Sequence, residues 1–187
     1  MNIATVAQAA RSTEEILSLL HRIFRTADPR DTWRRLYDAI VARARDPFWY
    51  REGQVPDTID GRFDMITALT ALVLLRLEAL GEEGRAPAAL LTELFVADMD
   101  SSLREIGIGE YVVGKHIGRM MSALGGRLGA LRAAAPDGDL GPAVRRNIFR
   151  ESPPSDAAVA LVSERLAGLR AGLDALALAD LAEGRLS

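Results

Sequence analysis

Two carboxylates and a cation at helical spacing, Asp98, Asp100 and Arg104, are the first residues in this sequence that could do chemistry together. At about 100° per residue, Asp98 and Asp100 fall on either side of Met99. Met99 in turn lies on an apolar stripe with Leu91, Phe95, Leu103 and Ile106, and that stripe must be buried. Side chains two apart on a helix diverge, so the pair is not an acid–base couple. Arg104 stands one turn beyond Asp100 and can pair with it. A second candidate follows at Gly109-Glu110-Tyr111-Val112-Val113-Gly114-Lys115-His116, close to the phosphate-binding G-x-x-x-x-G-K-[ST] pattern. His116 replaces the hydroxyl that would hold Mg²⁺, and a helix rather than a strand precedes the stretch, so the nucleotide reading fails. A calcium loop starting at Asp98 lacks a third ligand, a central glycine and a closing glutamate. What remains is a capped helix hairpin. Gly107 terminates the first helix, Ile108 folds back on its last turn, Gly109 prolongs the break, and Glu110 opens the next helix.

Composition narrows the chemistry further. The 187 residues include no cysteine and only two histidines, His21 and His116. Disulfides, thiolate ligands, cysteine nucleophiles and a multi-histidine metal site are therefore excluded within one chain. The serines lack a G-x-S-x-G elbow, and neither histidine has a companion motif. The expectation is a protein that is not an enzyme, with no cofactor, no metal and no small-molecule substrate. A net charge of −3 argues against a specific nucleic-acid binder. The charge is unevenly spread: residues 21–51 hold eight basic against four acidic side chains, residues 57–105 four against ten, and residues 115–150 seven against two. The two basic stretches either form solvated faces or meet anionic lipid headgroups or ribosomal RNA. The first residues lack a basic segment followed by a continuous apolar core, and they carry Glu14 and Glu15, so neither a secretory signal nor a transit peptide is expected.

The elements that must position these residues read as helices throughout. Ser12-Thr13-Glu14-Glu15 forms a capping box for a helix over Ser12 to Arg25. A second helix, about Asp31 to Arg45, buries Trp33, Leu36, Tyr37, Ile40 and Ala44, and Asp46-Pro47 ends it. Phe48-Trp49-Tyr50 is predicted to lie in a loop, either pinned over the core by its rings or facing a partner; seven of the ten aromatic residues fall between Phe24 and Phe63. Thr58 or Asp60 caps a third helix, in which the eleven residues Met65 to Leu75 are all apolar or threonine. Eleven are too few to span a bilayer, so this is the surrounded element of a bundle. Gly81 to Arg85 reads as a solvated loop, with Pro87 starting the helix after it. Gly125-Gly126 weakens the following helix, and Leu140 to Arg150 makes one short helix. The last helix, capped by Ser155 or Asp156, sets Val159, Val162, Leu166, Leu169, Leu173 and Leu176 at alternating spacings of three and four. The predicted fold is all-α: a single-domain multi-helix bundle around a central apolar helix at about residues 61–80.

Several stretches taken in order resemble one family. Leu36-Tyr37-Asp38-Ala39-Ile40-Val41, Val55-Pro56-Asp57-Thr58-Ile59-Asp60-Gly61-Arg62-Phe63-Asp64-Met65, Phe95 to Asp100, Leu103 to Gly109 with Val113-Gly114-Lys115, and Arg146-Asn147-Ile148-Phe149 look like the ubiquinol–cytochrome c chaperones, assembly factors for cytochrome b of respiratory complex III. Leu124-Gly125-Gly126-Arg127 departs from the pattern, which has an aromatic pair before Gly-Arg. The resemblance implies a chaperone that binds newly made cytochrome b, with a second assembly factor as a further partner. It implies the bacterial form, in the cytoplasm or peripheral at the inner face of the plasma membrane. It divides the chain into an N-terminal helical extension at 1–30, a chaperone-like domain at 31–150, and a C-terminal helix at 151–187 packed on that domain. The client-binding candidates are Asp60, Arg62, Asp64, Asp98, Asp100, Arg104 and Lys115, the densest parts of the match. The other reading is a generic helical interaction module with an unrelated partner.

Overall fold

The computed structural model describes residues 28–105, 110–134, 138–150 and 153–186, excepting the side chains of 110–113. The helix expected over Ser12 to Arg25 lies outside these residues, as do Ile106 and the break at Gly107 to Gly109. Among the described residues every regular element is helical, so the fold is an all-α multi-helix bundle. The elements are α1 (Asp31–Ala44), α2 (Pro47–Arg51), α3 (Ile59–Ala79), α4 (Glu82–Glu105), α5 (Glu110–Ala133), α6 (Gly141–Val144) running into a π-helical turn (Arg145–Phe149), α7 (Asp156–Asp174) and α8 (Leu178–Ala182).

The bundle is built around α3. Every residue from Asp64 to Leu74 is buried, and α1, α4, α5, α7 and the π-helical turn all pack against it. An apolar surface on all sides of a helix can only be stabilised by neighbours on all sides, at roughly 2 kcal/mol per fully buried leucine. Thr58 caps α3, its hydroxyl accepting the Gly61 amide at 3.1 Å. The stripe of α4 is buried as its spacing requires, with Leu91, Phe95, Met99 and Leu103 at most 5% exposed. Ser155 caps α7 by accepting the Ala158 amide, and Val159, Val162, Leu166, Leu169 and Leu173 face the core.

Four local expectations are corrected. Phe48-Trp49-Tyr50 is helical, not a loop. Asp46 caps α2 by accepting the Phe48 amide at 3.0 Å, and Pro47 takes the first turn, so the dipeptide that stops α1 also starts α2. The rings then close the end of α1: the Trp49 indole donates to the Arg43 carbonyl and the Tyr50 hydroxyl to the Ala44 carbonyl, both at 2.7 Å. Next, α4 begins at Glu82 rather than at Pro87, immediately after Gly81 at φ +69°. Gly84 makes this early start possible, because a Cβ there would sit 1.8 Å from the Leu77 carbonyl oxygen. Third, the segment before Ser152 is a short α-helix that widens into a π-helical turn and closes at Arg150 with φ 39°. Finally, α7 stops at Asp174, so Leu176 lies beyond it; the chain then forms α8, whose Leu181 is buried against α1. Gly125 and Gly126 are exposed and do not interrupt α5, since packing on α3 outweighs about 1 kcal/mol per glycine of lost helix propensity.

Candidate functional site

The first turns of α3 and the last turns of α4 diverge enough to leave a groove. Its walls are Ile59, Phe63 and Ile66 from α3, Met99, Ser102, Leu103 and Glu105 from α4, and Met120 from α5, and Arg45 and Arg62 stand at its rim. The volume is about 250 Å³, enough for a few apolar side chains and small for a drug-sized ligand. Ile59 is 72% exposed at the mouth. Methionine, phenylalanine and isoleucine give an apolar lining that can re-pack around different shapes.

Behind the groove lies a buried ion-pair network. Asp64 is 2% exposed and Arg127 4%. Arg127 Nη2 donates both to Asp64 Oδ1 and to the Asn147 carbonyl, the latter at 2.6 Å. Its Nη1 donates to the Ala123 carbonyl at 3.2 Å, and Arg150 Nε comes within 3.3 Å of Asp64 Oδ2. The network therefore ties α3, α5 and the π-helical turn together. The wider turn presents the Asn147 carbonyl, and Arg150 adopts a left-handed φ as it reaches the carboxylate. Burial lifts the Asp64 carboxyl to about 6, against the downward pull of Arg127 and Arg150. Burial likewise lowers Arg127 from its ordinary value, and Asp64 opposes that. Arg127 also lies 5.9 Å from the centre of the Phe63 ring, so the network supports the groove wall directly.

The sequence candidates are distributed around this arrangement. Arg62 is at the rim and pairs with Asp57 at 2.7 Å, which holds the Asp57 carboxyl below its ordinary value. Asp60 is exposed in the first turn of α3, next to Ile59. Asp64 is interior and reaches the groove only through Arg127 and Phe63. Asp98 accepts the Tyr37 hydroxyl at 2.7 Å and so joins α4 to α1; burial, then this bond, pushes the phenol well above its ordinary range. Asp100 pairs with Arg104 at 2.8 Å on the exposed side of α4. Lys115 is exposed on α5, within the helix rather than on a loop. The seven thus divide into a rim (Arg62), an interior support (Asp64), a helix tie (Asp98), and surface positions (Asp60, Asp100, Arg104, Lys115).

Arg127 and Arg150 were not among the candidates. The signal for Arg127 was present in the Gly-Arg that follows Leu124-Gly125: a lone arginine within a run of small and apolar residues needs a buried acceptor. At that departure Leu124 is buried and Gly125 faces open space, so the core is filled without an aromatic pair. Among the described residues no cluster of three or more metal-ligating side chains occurs, and no helix is long and apolar enough to cross a membrane.

Comparison with known proteins agrees with the arrangement. Residues 51–187 match the profile of the family described as ubiquinol-cytochrome C chaperone. The fold is similar to the crystal structure of the Cbp3 homolog from Brucella abortus, with a TM-score of 0.70 and 31% sequence identity over 92% of this chain and 95% of that one. No curated protein sequence matches. The family span takes in α3, both walls of the groove, the Asp64–Arg127–Arg150 network and α7 with α8. On that match, and on a fold shared along nearly its whole length, the chain belongs to the ubiquinol-cytochrome C chaperone family.

Proposed function

We propose that this protein is a non-enzymatic assembly factor that holds newly made cytochrome b during biogenesis of ubiquinol–cytochrome c reductase, with the groove between α3 and α4 as the client surface. The observation that carries the reading is an apolar, methionine-containing groove with an arginine rim, all of whose lining except Arg45 falls within the family span. A hydrophobic segment of the client fits such a lining, while Arg62 at the rim and the exposed Asp60 near it fix its orientation. Asp64 acts indirectly, by keeping Arg127 under Phe63. Asp98 acts indirectly too, by fixing α4 against α1. The Asp100–Arg104 pair and the exposed Lys115 would be accessible to a second assembly factor.

The test is co-purification of cytochrome b with tagged protein from the source organism, together with the melting temperature of each variant. Ile59→Asp and Arg62→Ala alter exposed side chains, so stability should change by less than about 1 kcal/mol, whereas captured cytochrome b should fall at least several-fold. Parallel loss of stability and capture in both variants would make the groove a structural feature only. If deletion of the gene leaves cytochrome b levels and complex III activity intact, the protein is an interaction module for some other partner.

A further inference from the structure

Beside the apolar groove lies a second hollow of about 250 Å³, lined by Arg45, Pro47, Tyr50, Arg51, Asp57 and Arg62. Arg45 and Arg62 line both hollows and form the ridge between them. Among the described residues Asp57 is the only carboxylate lining this cleft, and Arg62 already engages it. Among the described residues, neither Arg45 nor Arg51 has a carboxylate within ion-pair distance. The cleft lining therefore carries two arginines that the fold leaves without a carboxylate; Glu105 lines the groove on the other side of the ridge, and Asp60 lines neither hollow. Next to it, at the first residue of α3, stands Ile59, the one exposed large apolar side chain among the described residues.

We propose that this face, with Arg45, Arg51 and Arg62 in the cleft and Ile59 at the mouth of the adjoining groove, docks on an anionic phospholipid bilayer. Arginines supply the attraction to headgroup phosphates, and an aliphatic side chain beside them can enter the boundary between headgroups and acyl chains. RNA would bring the same phosphates, but single-stranded RNA is held largely by stacking on exposed aromatic or arginine planes. The main stacking platform for single strands, an exposed aromatic ring, is missing here: the protruding group is aliphatic, and the ring in the cleft, Tyr50, is half-buried with its hydroxyl bound to the Ala44 carbonyl. The attachment is peripheral and salt-sensitive, since three arginines and one isoleucine are too few for a permanent anchor. In this orientation the groove opens at the bilayer surface, because the two hollows share the Arg45–Arg62 ridge. The inference does not depend on which client the groove holds.

Flotation of the purified full chain with phosphatidylcholine vesicles, with and without phosphatidylglycerol, tests it without any client present. Binding should require the anionic lipid and weaken as salt is raised. The double variant Arg45→Gln/Arg51→Gln should lose affinity by roughly twenty-five-fold, about fivefold per arginine, and Ile59→Asn severalfold at unchanged charge. Arg85→Gln, in the cleft at the opposite end of α3, should bind as the unaltered protein does. Equal binding to neutral and anionic vesicles, or none to either, would overturn the proposal. So would unchanged binding by the double variant at an unchanged melting temperature, or release of the protein from vesicles by inorganic phosphate or by an RNA oligonucleotide at lower concentration than by lipid.

Discussion

At its N-terminal end α3 borders the groove just described. At its C-terminal end, between Leu74 and Glu78, the start of α4, and Leu128 and Arg132 of α5, lies a hollow three times as large, about 750 Å³ against 250 Å³. The larger one is walled by Ala88, Ala89, Thr92 and paired charges, Arg132 with Glu78 at 2.6 Å and Arg85 with Glu82 at 3.1 Å. Its helices are also locked at close range by Gly84 against the Leu77 carbonyl. The smaller one has deformable walls of methionine and phenylalanine, an exposed isoleucine, and in Arg45 an arginine with no carboxylate within ion-pair distance among the described residues. Volume alone therefore does not mark a docking place. What marks the N-terminal end is apolar surface and charge that the fold itself does not consume.

The largest effect is expected at the support behind the small groove. Asp64→Ala leaves Arg127 buried without its carboxylate and should cost about 3–5 kcal/mol, read as a lower urea midpoint. A double change, Asp64→Leu with Arg127→Met, should recover much of that loss, because an apolar pair leaves no charge unpaired. If the double variant is no better than the single one, the network does more than compensate its own charges. The opposite end offers a sharper test of the comparison. In an open helix Gly84→Ala would gain about 1 kcal/mol in propensity. Against Leu77 it should instead lose about 1–3 kcal/mol from overpacking, and a stabilised variant in urea denaturation would show that this end is not locked.

The smallest effect is a pH dependence confined to the groove end. Asp64 has a folded pKa of about 6, above its ordinary value of 3.8. Between those values the folded protein takes up a proton that the unfolded chain does not. This group's contribution is therefore fully present below about pH 4 and lost as pH rises through 6. Relative to Asp64→Asn, the unaltered protein should gain about 1 kcal/mol of stability between pH 7 and pH 5. The comparison cancels the exposed carboxylates such as Asp57, whose lowered pKa acts in the opposite direction. Parallel melting-temperature curves for the two proteins would mean that Asp64 does not titrate in that range.

Much of the fold can be read from neighbours along the chain. The apolar run Met65 to Leu75 required a surrounded helix, Thr58 and Ser155 offered caps, and the four-residue spacing of Leu91, Phe95, Met99 and Leu103 required one buried stripe. The Asp100–Arg104 pair followed from the same arithmetic. Each of these depends on interactions within a few residues, where helical geometry alone fixes who meets whom.

Other features could not be reached that way. Phe48-Trp49-Tyr50 has a loop-like context until its rings find the Arg43 and Ala44 carbonyls at the end of α1. Gly84 reads as a loop residue until α4 lies against Leu77. The site depended most on such distant pairings. Arg62 reaches the groove rim simply by standing in the first turns of α3, whereas Asp64 acquires Arg127, 63 positions away, and Arg150 only when α5 and the π-helical turn pack on α3. The sequence by itself determined helices, caps and buried faces, because these are set by periodicity and short-range hydrogen bonding. Only the tertiary structure decided which carboxylate became an interior support, and that the arginine rim and apolar groove share one ridge. Those outcomes depend on burial and contact between segments far apart in the chain, which no local pattern encodes.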